Sequence, residues 1–148
     1  MSNLKTRLHD DMIAAMRARD ELRTSTLRMV LSAISNEEVA GKVARELSDD
    51  DVLAVLAREG KKRREAAEAF DGGNRTELAA RERAEGEVIS TYLPVPLTSD
   101  ELAAIVRDAL AGAGATQMGP AMKAANAAVA GRAEGGQVAA EVRRQLGL

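Results

Sequence analysis

Leu4, Leu8, Met12 and Met16 recur four residues apart with Ala15 beside them, which lines up one apolar stripe on a helix. The spacing predicts a first helix of about four turns that ends near Arg19. Asp20 can accept from the free amides of a second helix, whose Leu22, Leu27, Val30, Leu31 and Ile34 form a broad apolar face reaching about Gly41. Ser48 and Asp51 have capping-box spacing, and Val52, Leu53, Val55 and Leu56 open a third helix that should run to about Phe70. Adjacent glycines favour backbone angles that helices do not use, so Asp71-Gly72-Gly73-Asn74 reads as a turn. Asn74 and Glu77 repeat the capping pattern before a fourth helix through Leu78 and Val88 to about Tyr92.

Leu93-Pro94-Val95-Pro96 stops that helix, because each proline lacks an amide donor and biases its predecessor toward extended geometry. Beyond it, Thr98 and Glu101 again have capping spacing, and Leu102, Ile105, Val106, Ala109 and Leu110 share one face of a helix ended by Gly112 and Gly114. Met118, Met122, Ala125 and Val129 predict a further helix, with Pro120 tolerable in its first turn. A loop over Gly131-Arg132-Ala133-Glu134-Gly135-Gly136 precedes a last helix carrying Val138, Val142 and Leu146 on one side. The expected architecture is all-α: an N-terminal helical domain of about four helices over residues 1–93, then a three-helix domain over residues 94–148.

Composition agrees with helices and leaves little for sheet. Of 148 residues 45% are apolar, much of that alanine, and Phe70 and Tyr92 are the only aromatics. Twenty-one basic residues against 23 acidic ones give a net charge of −2, so there is no global attraction to nucleic acid, and neither a DNA nor a membrane partner is expected. A polyanion would have to be met by a local patch. The absence of cysteine excludes disulfides, thiolate metal sites and a thiol nucleophile. The chain starts on a charged amphipathic pattern without a signal-peptide core, and no span reaches the roughly 20 apolar residues that cross a bilayer. The expected compartment is therefore the cytoplasm.

Two groups of cations are candidates for phosphate contacts. Lys61-Lys62-Arg63-Arg64 is the densest run, but four successive helical positions fan around the axis among Arg58, Glu65 and Glu68. It reads either as an ion-paired helix surface or as a patch in which Arg63 and Arg64 meet phosphates. From Ala115 onward, Lys123, Arg132, Arg143 and Arg144 stand against Glu134 and Glu141. Arg132 lies in the glycine-flanked loop, where bare backbone can approach a strand; the plainer reading is that Gly131 and Gly135 only turn the chain. His9, between Leu8 and Asp10, has no second imidazole or thiolate to complete a metal site. Gly114 to Gly119 has phosphate-loop spacing, yet Pro120 and Ala121 occupy the places of the required lysine and hydroxyl. No catalytic residue, metal ligand or cofactor is expected. The methionines fall mostly on apolar stripes, as core filling or as a flexible partner groove.

Taken end to end, the chain resembles the YqeY-like family. The resemblance rests on Asp11-Met12, Ala15-Met16 and Asp20, on Thr26-Leu27-Arg28-Met29 with Asn36-Glu37-Glu38-Val39, and on Lys61 with Arg63-Arg64. It continues through Arg75, Glu77-Leu78, Glu82 and Glu85, the junction Tyr92-Leu93-Pro94, Met118-Gly119, Met122-Lys123 and Gly131-Arg132-Ala133-Glu134-Gly135. Gly60 stands where that family usually has a large apolar residue, which implies a weak point or a close helix contact, and Phe70 replaces a common tyrosine. The resemblance implies a C-terminal domain similar to the tail of the tRNA-dependent amidotransferase B subunit, which contacts the tRNA elbow in the glutamyl-tRNA(Gln)/aspartyl-tRNA(Asn) enzyme. The family label is carbon–nitrogen ligase activity with glutamine as amide donor. The glutamine-hydrolysing serine and lysine and the metal-bearing phosphoryl cradle of that system belong to other parts of it, and this sequence has no counterpart. The implied role is a tRNA-associated binding module, its partner tRNA or an aminoacyl-tRNA enzyme. The competing reading is a helical adaptor that recognises protein alone.

Overall fold

The computed structural model describes residues 2–148, and among them the only regular elements are seven α-helices. They are α1 (Asn3–Arg17), α2 (Glu21–Glu38), α3 (Asp49–Gly72), α4 (Thr76–Ser90), α5 (Ser99–Ala113), α6 (Met118–Val129) and α7 (Gly135–Leu146). The chain divides into two compact units, one ending at Leu93 and the other starting at Pro94.

In the first unit the starts of α1, α2 and α3 are fixed by short polar side chains. The Ser2 hydroxyl accepts from the Lys5 amide at 2.9 Å and Asp20 Oδ1 from the Arg23 amide at 3.1 Å. Ser48 and Asp51 bond reciprocally to each other's backbone amides, each at 3.1 Å, closing a capping box. Leu8, Leu27, Val30, Ile34, Val52, Leu56 and Ile89 form the core, with Leu4, Met12 and Met29 packed on its margin. The extensive pairing of α3 with α4 depends on small residues. A Cβ at Gly60 would stand 3.6 Å from Ile89 Cγ2, and one at Gly86 would stand 3.6 Å from Arg63 Cβ. Gly60 is thus a point of close helix contact.

Two expectations from the sequence are corrected here. Asn74 does not cap α4: it takes the left-handed conformation, φ 59°, and its amide and that of Arg75 close back onto Asp71 and Phe70 carbonyls at 3.1 and 2.8 Å. Asparagine tolerates this conformation, so the residue ends α3, which runs two residues past Phe70, and α4 starts after Arg75 with no side-chain cap. Likewise Gly135 and Gly136 are not loop but the first turn of α7.

Tyr92, just past α4, ties three helices together. Its hydroxyl donates to Asp11 Oδ2 on α1 at 2.6 Å and accepts from Arg23 Nη2 on α2 at 2.9 Å. The guanidinium carbons of Arg7 and Arg23 lie 4.8 and 5.8 Å from the ring centroid, within cation–π range. Burial, reinforced by the hydrogen bond to Asp11, pushes the phenol up to about 12, against the opposing pull of Arg23 and Arg7.

The second unit packs α5, α6 and α7 around Leu102, Val106, Leu110, Val129, Val138 and Val142, with Ala121 and Ala125 fully buried between helices. Thr98 caps α5 by accepting from the Glu101 amide at 3.2 Å, and Gly114 ends that helix with φ 60°. Gln145 Nε2 donates to the Ala103 carbonyl at 2.8 Å, joining α7 to α5. The Leu97 amide donates to the Arg132 carbonyl at 2.9 Å. That bond ties the segment before α5 to the loop between α6 and α7.

Tyr92 is the sole tyrosine and the chain has no tryptophan, so phenolate absorbance reports on it alone. The native protein should titrate near 12 and the denatured chain near the ordinary value of about 10. Because the folded value is the higher, the stability this phenol adds is present below about pH 10 and is lost as pH rises toward 12; a native titration at the ordinary value would contradict the described burial. Gly60→Ala should be neutral to stabilising by up to ~1 kcal/mol, since the methyl meets Ile89 at an ordinary contact distance while helix propensity improves. Gly60→Leu should cost about 1–3 kcal/mol through overpacking, read by urea denaturation.

Candidate nucleic-acid interface

Most cations of the first unit are committed to carboxylates. Lys5 pairs with Glu38 at 2.7 Å, Arg58 with Glu37 at 3.2 Å, Lys62 with Glu59 at 3.2 Å and Lys61 with Glu65 at 4.0 Å. Arg63, a residue with candidate phosphate chemistry, is turned between α3 and α4. Its Nη1 lies 3.3 Å from Glu82 and 3.5 Å from Glu85, and only 20% of the side chain is exposed. A polyanion reaching it would compete with two partly buried carboxylates. Arg64 is exposed and borders a shallow depression beside Gly60, Glu82, Arg83 and Gly86. The two arginines therefore do not form one patch.

In the second unit the balance is different. Lys123 is exposed at mid-α6, on the side opposite the buried Ala121, Ala125 and Val129. The Arg132 backbone is held at both ends, its amide donating to Val129 at 3.1 Å and its carbonyl accepting from Leu97, while its side chain is exposed. A Cβ built at Gly131 would meet nothing within 4 Å, so the loop presents open backbone beside Arg132, and the first turn of α7 is equally open at Gly135 and Gly136. Arg143 and Arg144 occupy the last turn of α7. Arg144 Nε donates to Glu141 at 3.0 Å, and that pairing, aided by Gln145, holds the Glu141 carboxyl below the usual carboxylate range. Lys123, Arg132 and Arg143 have no carboxylate of a described residue within ion-pair distance. Arg143 is about 12 Å along the axis from the start of α7, and hence from the Arg132 loop. Such spacing suits an extended polyanion, with charge distributed along its length, better than one compact anion.

His9 is exposed, with Nδ1 4.0 Å from Asp10, and no group of three or more possible ligands among the described residues could hold a metal ion. No described helix is long and apolar enough to cross a membrane. Met118 and Met122 pack against the core of the second unit rather than lining an open groove. The Arg7–Asp11–Arg23–Tyr92 cluster was not readable from spacing, since its members lie up to 81 residues apart.

A family model described as "Yqey-like protein" matches residues 5–146. Curated relatives carry the name "Altered inheritance of mitochondria protein 41, mitochondrial". The chain is 36% identical to the one from Lachancea thermotolerans over 96 residues, 63% of this chain and 50% of the relative. It is 35% identical to one from Saccharomyces cerevisiae over 97 residues, 64% and 51% respectively. For Clavispora lusitaniae the identity is 33% over 102 residues, 68% and 56%. The chain thus spans about half the length of the curated relatives it matches. Their names overturn the cytoplasmic expectation. That expectation rested on missing cysteine and a missing apolar span, features a mitochondrial protein can share, so they do not select a compartment.

The placements of Arg63 and Arg144 separate two kinds of cation. Arg63→Ala should lower stability by about 2 kcal/mol, because it leaves Glu82 without its ion-pair partner while Glu85 keeps Arg81, with the buried-pair penalty reduced by the remaining solvent exposure. Arg144→Ala, at an exposed pair, should cost much less, because solvent screens the pair and the freed Glu141 is near enough to water to stay hydrated. Equal costs in denaturant titrations would show that Arg63 is no more structural than Arg144.

Proposed function

This chain belongs to the YqeY-like family, and on that footing we propose that it is a tRNA-associated binding module related to the tRNA-contacting tail of the amidotransferase B subunit. In this reading the two compact units are separate domains. The second meets phosphates through Lys123, Arg132 and Arg143, with Arg144 available only where it exchanges Glu141 for phosphate. The partner is tRNA itself or an enzyme carrying it, and the chain supplies binding rather than the carbon–nitrogen bond-forming step.

The observation that carries the proposal is the contrast in pairing: three exposed cations of the second unit have no carboxylate partner among the described residues, and one projects from a backbone-fixed loop between Gly131 and the glycine-opened first turn of α7. With a net charge of −2 the molecule has no general affinity for polyanions, so whatever binding occurs must be local. With one phenylalanine and one tyrosine in the chain, stacking on bases contributes little, and recognition goes to backbone and shape.

Filter-binding titrations with tRNA at several salt concentrations test this. Three phosphate contacts give a slope of roughly −2.7 in log K against log salt, or about a 40-fold loss between 50 and 200 mM. Arg132→Ala with Arg143→Ala should flatten the slope to about −1. Absence of affinity for any tRNA at low ionic strength, or a double variant that binds as before, would remove the proposal. Protein partners retained after nuclease treatment would favour the adaptor.

A further inference from the structure

The corner between α1 and α2 holds a second set of uncommitted cations, far in sequence from those of the second unit. An open surface depression there has Arg19 and Arg28 on its lining, with Asp20 and Glu21 beside them. Both side chains are exposed, and neither has a carboxylate of a described residue within ion-pair distance. The two acids beside them are already engaged. Asp20 accepts from the Arg23 amide, and both oxygens of Glu21 face Arg81, at 3.1 and 3.4 Å. Arg28 Nη2 rests 3.0 Å from the sulfur of Met16, a weak acceptor that leaves most of the guanidinium's donor capacity unused.

The backbone makes the placement of Arg19 more telling. The Arg19 amide donates to the Met16 carbonyl at 3.1 Å and the Asp20 amide to Ala15 at 3.0 Å, the paired bonds of a Schellman ending, with Arg19 at φ 59°. Glycine takes the corresponding left-handed position at the ends of α5 and α7, at Gly114 and Gly147. An L side chain there is strained relative to glycine. Asn74 and Ala130 share this left-handed geometry at the ends of α3 and α6; what sets Arg19 apart is that its long cation borders the same depression as Arg28.

We propose that this corner is a phosphate-binding site, in which the guanidinium forks of Arg19 and Arg28 close on one phosphate group. Two planar cations match the charge and oxygen geometry of a phosphate. The Ser25 hydroxyl is occupied, donating to the Leu22 carbonyl at 3.2 Å, and that of Thr24 donates to the Asp20 carbonyl at 2.7 Å. The two arginines thus supply the recognition. The site lies wholly in the first unit and is independent of the tRNA reading.

Titration of the full chain with inorganic phosphate at low ionic strength, followed in amide NMR spectra, tests it. Amides of Arg19, Thr24 and Ser25 should shift saturably in the millimolar range. Arg19→Gly should weaken binding at least tenfold while leaving or raising the thermal midpoint, since glycine relieves the left-handed corner. Arg28→Ala should weaken it similarly, and Lys42→Ala, in the exposed stretch after α2, should not. Parallel titrations with a 5′-mononucleotide and with a short oligonucleotide lacking terminal phosphate distinguish the source. Arginine-dependent binding of the mononucleotide alone identifies a phosphate monoester, and of both a phosphate within a chain; either supports the site. No saturable shift at these amides, or shifts unchanged in Arg19→Gly and Arg28→Ala, would overturn it.

Discussion

With one phenylalanine, one tyrosine and no tryptophan, the chain can bury enough apolar surface only by bringing helix backbones near one another. Branched aliphatic side chains fill the centre of each unit, and small residues decide how close the helices come. Gly60 and Gly86 do this between α3 and α4, and Ala121 and Ala125 do it on the inner face of α6. A core of this kind is sensitive to added volume at a few positions and tolerant elsewhere. It also leaves the one tyrosine as the largest buried polar-tipped side chain, with its hydroxyl satisfied by Asp11 and Arg23.

Close approach has an electrostatic corollary. Where α3 and α4 meet, the stem of Arg63 passes beside Gly86 and its head is placed between Glu82 and Glu85. The charge is thereby turned inward and cannot act at a distance. Arg81 does the same at the margin, reaching Glu21 on α2 and Glu85 on its own helix. Across the first unit this pairing leaves few cations uncommitted, and two of those, Arg19 and Arg28, border one surface depression. The second unit carries fewer charges, so its uncommitted ones are less diluted by acids nearby.

Local signals along the chain were enough for the all-helical class and for the helix starts at Asp20, Ser48 and Thr98, because an N-cap and its amide partner lie within three residues of one another. Local signals also misled. Asn74 has the residue types of a cap around it, but its tolerance of left-handed geometry ends α3 instead, a choice made by hydrogen bonds back to Phe70 and Asp71. Gly135 and Gly136 resemble loop by composition and yet are helical, since the first turn of a helix asks little of its own amides. The fate of Arg63 depends on acids about 20 residues away on another helix, and that of Tyr92 on Asp11, 81 residues away. Charge density along the chain gives no hint of either. The strain at Arg19 was equally hidden, because a left-handed arginine has no mark in sequence.

The hydrogen bond from Leu97 to the Arg132 carbonyl has a mechanical meaning. It fastens the stretch that follows Pro94-Val95-Pro96 directly to the loop presenting Arg132, bypassing the helices between them. The position of the peptide group behind that guanidinium is therefore set partly by a residue before α5 and not by the neighbouring helix ends alone.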